Sequence, residues 1–292
     1  MTNVAPVVAG VDGSPSSVAA AEYAAALAER RQAPLLLIHG NGRWIRCHGI
    51  TGVPLDPQPS DQRLRALVEQ DLHRLVEHLR RAHTKLVAVN ARQMPASAAS
   101  VLIDQSVQAL ATVVGSRGSG GFEGLLLGSV SLQVASHGHG PIVIVRPPIA
   151  DDGLVAGPQP SALRPARLGP VLIAYDGSWA ADAALDFAVT EALQRKVKLL
   201  VTNVYASHQE LAQQMLAGAM KSHATAHADL DAELLTIESE HTDYALVEAS
   251  RHAALTVVGS RGNGGFPGLW LGSIGRTLAH HAYGPVAVVH PG

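Results

Sequence analysis

The chain has 292 residues, of which 47% are apolar and 16% charged, a composition that excludes disorder as its general state. At roughly 150 residues per domain, this length predicts two domains. The formal net charge of −2 excludes a global attraction to nucleic acid or to an anionic membrane. The single cysteine, Cys47, cannot form an intramolecular disulfide, and neither a secretory signal nor a membrane-spanning run is apparent. We therefore expect a cytoplasmic protein that binds neither membrane nor nucleic acid.

The first half of the chain predicts strands that alternate with helices. Apolar runs predict strands over residues 4–11, 35–39, 85–89, 112–115 and 142–145, and periodicity predicts helices over 15–31, 61–83, 96–109 and 129–137. The first helix has Ser14 as its N-cap and Pro15 at its first position. Such alternation indicates parallel strands with right-handed crossovers, and the continuous apolar strands indicate a sheet covered on both faces.

The second half repeats the first. TVVGSRGSGGFEGLLLGS at 112–129 and TVVGSRGNGGFPGLWLGS at 256–273 share 15 of 18 residues, and Asp-Gly-Ser ends the first strand of each copy. Residues 230–237 could form a helix as well as a strand, and we predict a strand because the first copy has one there. A proline-rich stretch separates the copies and indicates a linker. We predict domains over 1–148 and 169–292, joined by a linker over 149–168.

A glycine-rich loop follows the fourth strand of each copy. Residues 115–128 and 259–272 each contain six glycines in 14 positions, so their backbone N–H groups can approach a ligand closely. The following helices begin near Ser129 and Ser273, and a helix N-terminus attracts phosphate. These hydroxyls can cap the helix or contact the same phosphate. A P-loop needs a lysine before its Ser/Thr, and a dinucleotide fingerprint follows the first strand, so neither motif fits.

The spacing that does fit is G-x2-G-x9-G-[ST], which occurs once in each copy. With an aspartate at the end of strand one, this pattern resembles the ATP-binding class of the universal stress protein family, in a tandem form. The resemblance implies an α/β fold in which each repeat has an open five-stranded parallel sheet, of order 3-2-1-4-5, between helices. It also implies ATP in a crevice between strands one and four, accompanied by Mg²⁺ or Mn²⁺.

The resemblance also assigns residues to two nucleotide sites. In the family, the aspartate and the backbone after strand two hold adenine and ribose, whereas the loop and the following serine hold the phosphates. The first site then comprises Gly10, Asp12, Gly40, Val114, Gly115, Arg117, Gly118, Gly128, Ser129, Val130 and Ser131. The second comprises Ala174, Asp176, Val204, Val258, Gly259, Arg261, Gly262, Gly272, Ser273 and Ile274. Gly275 stands where the first copy has Ser131, so that side-chain contact with phosphate is absent from the second site.

Simpler interpretations of these residues stay open. The loops could be flexible connectors, the aspartates could serve only an Asx-turn before the helix, and the two arginines could be solvated. The chain's 15 histidines show no metal-ligand spacing, so we expect no dedicated metal site. No paired carboxylates or Ser/His/Asp arrangement lies beside the loops, so we expect no catalytic residues.

The leading hypothesis is an ATP-binding regulatory protein of the stress response, whose nucleotide changes its conformation or its binding of an unidentified protein partner. The alternatives are a slow ATPase or another nucleotide-dependent enzyme, and a nucleotide-free interaction module. The last strand of each repeat is an apolar sheet edge, which native proteins cover or pair. We therefore expect the two edges to pair as an internal pseudo-dimer, and pairing of two chains is left open.

Overall fold

The computed structural model describes residues 4–40, 59–118, 126–146, 169–263 and 271–292. The predicted linker and Cys47 lie outside these ranges. The first repeat comprises β1 (Val7–Gly10), α1 (Pro15–Arg31), β2 (Leu35–Gly40), α2 (Pro59–Ala82), β3 (Val89–Met94), α3 (Ala98–Ser106), β4 (Ala111–Gly115), α4 (Ser129–His137) and β5 (Pro141–Val145). Within the described residues, no helix is long and apolar enough to cross a membrane.

The second repeat has the same order of elements. It comprises β6 (Val171–Ala174), α5 (Trp179–Arg195), β7 (Leu199–Tyr205), α6 (Gln209–Ala226), β8 (Ala232–Glu238), α7 (Thr242–Ala249), β9 (Leu255–Gly259), α8 (Ser273–His281) and β10 (Val286–Val289). The strand order is β3-β2-β1-β4-β5-β10-β9-β6-β7-β8, so each half has the predicted order 3-2-1-4-5. The strand predicted near residues 230–237 is confirmed as β8.

The third strand of the first repeat was predicted wrongly. It covers Val89–Met94 rather than 85–89, because Leu35 of β2 pairs with Val89 and the parallel register continues to Gly40 and Met94. The apolar residues before it belong to a turn, in which the Leu86 N–H donates to the carbonyl of His83 at 3.3 Å. Polar side chains suit β3 because it is an edge strand that faces solvent in part.

The helix that follows the first strand in each repeat begins at a side-chain cap. The Ser14 hydroxyl accepts from the Ser17 N–H at 3.2 Å, with Pro15 at the first helical position, as the sequence predicts. In the second repeat the Ser178 hydroxyl accepts from the Ala181 N–H at 3.2 Å. These caps fix the helices α1 and α5 directly after the Asp-Gly-Ser segments.

Two hydrophobic cores cover the two faces of the sheet. Alternate strand residues face opposite sides, so Val7 packs against α1 and α2 whereas Val8 packs against α3 and α4. The second repeat packs α5 and α6 on the first face and α7 and α8 on the other. The strands are nearly continuous in apolar residues because both of their faces are buried.

The two repeats join through their last strands, β5 and β10. These strands pair antiparallel, with Ile142 opposite Val288 and Ile144 opposite Val286, which is the contact expected of the internal pseudo-dimer. Two side chains cross this junction in matching positions. Arg146 donates to the Ala279 carbonyl at 2.5 Å, and His290 contacts the Ala135 carbonyl at 2.9 Å. Each repeat thus holds the last helix of the other, while pairing between two chains stays a prediction.

The helices α1 and α5 also meet across the junction, through a buried ion cluster. The Glu191 side chain is 0% exposed, and its carboxylate lies 2.9 Å from Arg31 Nη2, 2.9 Å from Arg195 Nε and 3.6 Å from Arg30 Nη2. Arg195 also donates to the Tyr23 hydroxyl at 2.6 Å. One carboxylate therefore faces three guanidinium groups contributed by both repeats.

Candidate functional site

The candidate site lies where the first and fourth strands of each repeat end side by side. β1 pairs with β4 and β6 pairs with β9, all parallel, so each Asp-Gly-Ser segment and glycine loop leave the sheet at the same edge. A Cβ built on Gly118 would lie 2.6 Å from Asp12 Oδ2, and one on Gly262 would come closer still to Asp176 Oδ2. The fold therefore brings together the aspartate and the loop that the sequence assigned to one site.

Each aspartate begins the turn that leads into the next helix. Asp12 Oδ1 accepts from the Ser14 N–H at 3.0 Å and from its hydroxyl at 2.6 Å. Asp176 Oδ1 accepts from the Ser178 N–H at 3.0 Å. These are the expected Asx-turns. In the second repeat the other oxygen, Asp176 Oδ2, accepts from the Asn263 N–H at 3.0 Å, so the carboxylate also holds the glycine loop.

The end of strand two is fixed to the end of strand one by a side chain. In the first repeat His39 Nδ1 contacts the Val11 carbonyl at 2.9 Å. In the second, Asn203 Nδ2 donates to the Tyr175 carbonyl at 2.8 Å. Because a carbonyl only accepts, His39 carries its proton on Nδ1 in this contact. These bonds place Gly40 and Val204 beside the strand-one ends.

In the second repeat these elements enclose a cavity of about 440 Å³. All ten residues predicted for the second site line it, namely Ala174, Asp176, Val204, Val258, Gly259, Arg261, Gly262, Gly272, Ser273 and Ile274. Six further lining residues were not predicted: Tyr175, Thr202, Asn203, Thr242, Leu246 and Gly275. A volume of this order is typical of small-molecule sites.

Comparison with known proteins identifies the family of the chain. The sequence profile described as the Universal stress protein family matches residues 4–146 and 168–290. The chain belongs to the universal stress protein family. It is 32% identical over 302 residues to Universal stress protein Rv2623 of Mycobacterium tuberculosis, covering 97% of this chain and 95% of that protein. A universal stress protein of Mycolicibacterium smegmatis is 31% identical over 304 residues, covering 98% and 97%.

Solved structures show the same fold. A universal stress protein from Archaeoglobus fulgidus superposes with a TM-score of 0.69 at 20% identity, covering 98% of this chain and 96% of that one. A single-repeat match is to a universal stress protein solved in complex with cAMP, at 28% identity and a TM-score of 0.37, covering 43% of this chain and 99% of that one.

The helix that follows each glycine loop in this universal stress protein begins with an uncapped N-terminus. Gly128 and Gly272 are the N-caps of α4 and α8, and neither makes a side-chain capping bond. The idea that Ser129 and Ser273 cap these helices is wrong, because both serines already lie within the first turn. Both are exposed. In the second repeat Gly272, Ser273 and Ile274 line the cavity, so the uncapped N-terminus of α8 borders it.

The side chain at position 131 has a structural role. The Ser131 hydroxyl donates to the Gly115 carbonyl at 2.5 Å and is buried, so it ties α4 to the end of β4. Gly275 lacks this bond in the second repeat. Val114 and Val258 are buried on their strands beside these positions, and Val130 and Ile274 are partly buried in the first helical turns. Val258 and Ile274 line the cavity of the second repeat, and Val114 and Val130 pack in the core beside α4.

The two loop arginines, Arg117 and Arg261, are exposed at the crevice mouths. Burial and the nearby Arg117 lower the pKa of Arg146 to about 10. Arg261 in turn lies near His290, whose pKa is lowered mainly by burial. Each loop arginine therefore stands close to the residue that crosses the repeat junction. Across the ranges that the structure describes, no group of three or more His, Cys, Asp or Glu side chains could hold a metal.

Sequence reasoning missed several residues of the site for identifiable reasons. Asn263 occupies one of the three positions at which the two 18-residue segments differ, and that difference was the available signal. Asn203 and His39 are unlike residues that make equivalent bonds, so comparison of the repeats does not reveal them. Thr242 and Leu246 enter the cavity from α7, outside any motif.

Proposed function

We propose that this universal stress protein binds ATP and works as a regulatory protein of the stress response, through nucleotide-dependent conformation or partner binding. The observation that carries the proposal is the convergence of all ten predicted residues on one cavity of the second repeat. That cavity lies at the carboxyl ends of parallel strands, which is where open α/β sheets bind ligands. The same motif in the first repeat supports a second candidate site.

The phosphate end of the ligand has a suitable environment. The N-terminus of α8 supplies unpaired backbone N–H groups and a positive partial charge. Ser273 and Arg261 are both exposed, and both line the cavity. One arginine leaves much of the charge of ATP unbalanced, so Mg²⁺ or Mn²⁺ fits as an accompanying ion. The phosphates would hold it, and the exposed Ser273 hydroxyl would be available as an oxygen ligand from the chain.

The base and ribose would lie toward the other end of the cavity. By resemblance to the family, Asp176 and the backbone at Val204 are the groups that hold them. Val258, Leu246 and Ile274 contribute apolar surface to the cavity lining, which suits an aromatic base. A carboxylate oxygen can accept more than one hydrogen bond, so a ribose hydroxyl would donate to Asp176 beside the N–H groups of Ser178 and Asn263.

A regulatory role is favoured over an enzymatic one by the carboxylate in the cavity. Asp176 is the one carboxylate in the described lining, which contains no histidine, lysine or glutamate to act with it. Efficient general acid–base catalysis needs such groups placed within hydrogen-bond reach of the attacking water and the leaving group. Slow ATP hydrolysis and a nucleotide-free interaction module are the alternatives.

Mass spectrometry of freshly purified, denatured protein and calorimetric titration with MgATP test the proposal. We expect adenine nucleotide or MgATP binding, with turnover well below about one per second, a low value for enzymes. Absence of both bound nucleotide and MgATP binding would favour the interaction module. Faster turnover would favour the enzyme.

A further inference from the structure

The two repeats share the glycine loop but differ at the ends of their first two strands. The first repeat has Gly10 and Gly40 where the second has Ala174 and Val204. In both repeats these positions border the space assigned to the base and ribose. A change of side chain there alters the width of the crevice without touching the phosphate loop.

In the first repeat, Gly10 and Gly40 have no side chains, so α3 packs directly against the sheet. A Cβ at Gly10 would lie 2.7 Å from Leu102 Cδ1, and a Cβ at Gly40 would overlap the backbone of Ala98. The Leu102 methyl can rotate away from an added side chain, whereas the Ala98 backbone moves only if the whole helix moves. A side chain at position 40 would therefore disturb this packing more than one at position 10. Accordingly α3 contacts both β1 and β2.

In the second repeat, the corresponding helix, α7, does not pack closely against the first strand, β6. Thr242 and Leu246 of α7 occupy the places of Ala98 and Leu102. Among the described residues, α7 packs on β7 and α8 and makes no contact with β6 comparable to that of α3 with β1. Ala174, Val204, Thr242 and Leu246 all line the 440 Å³ cavity, so the gap between this helix and the sheet is part of that cavity.

We propose that the first crevice is closed by its own helix α3, and that the full chain binds one nucleotide, in the second repeat. Gly10 and Gly40 close the first site, whereas the side chains of Ala174 and Val204 hold the second open. This inference rests on the proposed function. It replaces the two equal sites predicted from the loops with one working site and one closed copy.

Calorimetric titration of the full chain with MgATP, after removal of any bound nucleotide, gives the stoichiometry. We expect one site per chain, lost in Gly262→Ala. Two equivalent sites would overturn the inference but leave the proposed function standing, whereas no binding would overturn the proposed function itself. Loss of a single site in Gly118→Ala rather than Gly262→Ala would also overturn the inference, because the nucleotide would lie in the first repeat.

Exchange of the side chains tests the cause. The double variant Ala174→Gly and Val204→Gly should let α7 settle and weaken MgATP binding at least tenfold. The matched control is Gly218→Ala on α6, where a Cβ meets nothing within 4 Å and binding should not change. Conversely, Leu102→Ala should open space over Gly10 and raise the stoichiometry toward two. Gly40→Val is a stronger test of whether moving α3 away from the sheet opens the first site. Circular dichroism shows whether this variant folds. Unchanged binding in the double-glycine variant would contradict the assigned cause.

Discussion

Removal of the Glu191 carboxylate should be among the most destabilising single changes in the chain. The side chain is fully buried and faces three guanidinium groups at 2.9, 2.9 and 3.6 Å. Without the carboxylate, those cations lose their common partner, and breaking a buried ion pair in this way costs about 3–5 kcal/mol. Glu191→Gln keeps an amide oxygen as an acceptor, so we expect about 3 kcal/mol. Glu191→Leu, which copies Leu27 at the equivalent position of α1, should cost nearer to about 5 kcal/mol.

Urea denaturation followed by circular dichroism measures this loss in the free energy of unfolding. The matched control is Glu233→Gln, which breaks the Lys198–Glu233 pair at 2.9 Å, with side chains 44% and 53% exposed. An exposed pair of this kind contributes little to the free energy of unfolding because solvent screens it, and added salt should weaken it further. If Glu191→Gln were no more harmful than Glu233→Gln, the cluster would not hold the two repeats together in the way that its burial implies.

Three further changes give smaller or more specific effects. Burial lowers the pKa of His290, so as the pH falls the unfolded chain binds a proton at this residue before the folded chain does. The free energy of unfolding should therefore fall as the pH drops below about 6.5. His290→Gln retains a donor for Ala135 and should flatten this fall, as urea midpoints at pH 7 and 5.5 would show; an unchanged slope would be contrary evidence. Gly218→Ala should raise the free energy of unfolding by about 0.5–1 kcal/mol, because the glycine costs helix entropy and its surroundings are open; a loss of stability would contradict this. A fragment of residues 1–158 exposes the edge of β5 and should homodimerise or precipitate, whereas a monomer at high concentration in the ultracentrifuge would argue against the edge pairing.

The alternation of strands and helices was predictable because the apolar runs and helix caps that indicate it are local in the sequence and occur in both repeats. Strand order followed from the family resemblance, and the start of α1 followed from Ser14 and Pro15. The position of β3 was not predictable from apolar content, because its register is set by β2 and its exposed side chains are polar. Likewise, comparison of the repeats paired Ser131 with Gly275 but did not show that the serine hydroxyl bonds to the end of β4.

The site was predictable only where backbone chemistry dictates the residue. Glycines and the turn aspartate recur because the close approach of loop and strand leaves them no alternative. The distance between α3 and the sheet depends on the lack of side chains at Gly10 and Gly40. A single glycine in a sequence does not predict such close packing. The crossing bonds of Arg146 and His290 depend on the relation between two domains, which no local pattern encodes.

The antiparallel contact at the centre of the sheet has a consequence for synthesis on the ribosome. β5 is complete when Val145 is made, but its neighbour β10 ends about 140 residues later, at Val289. At roughly 5–20 residues per second, the apolar edge strand β5 stays unpaired for about 7–30 s before β10 has been synthesised. During that interval a nascent first repeat presents Ile142 and Ile144 to any other chain emerging nearby, so slower translation of the second half should increase the demand for chaperones.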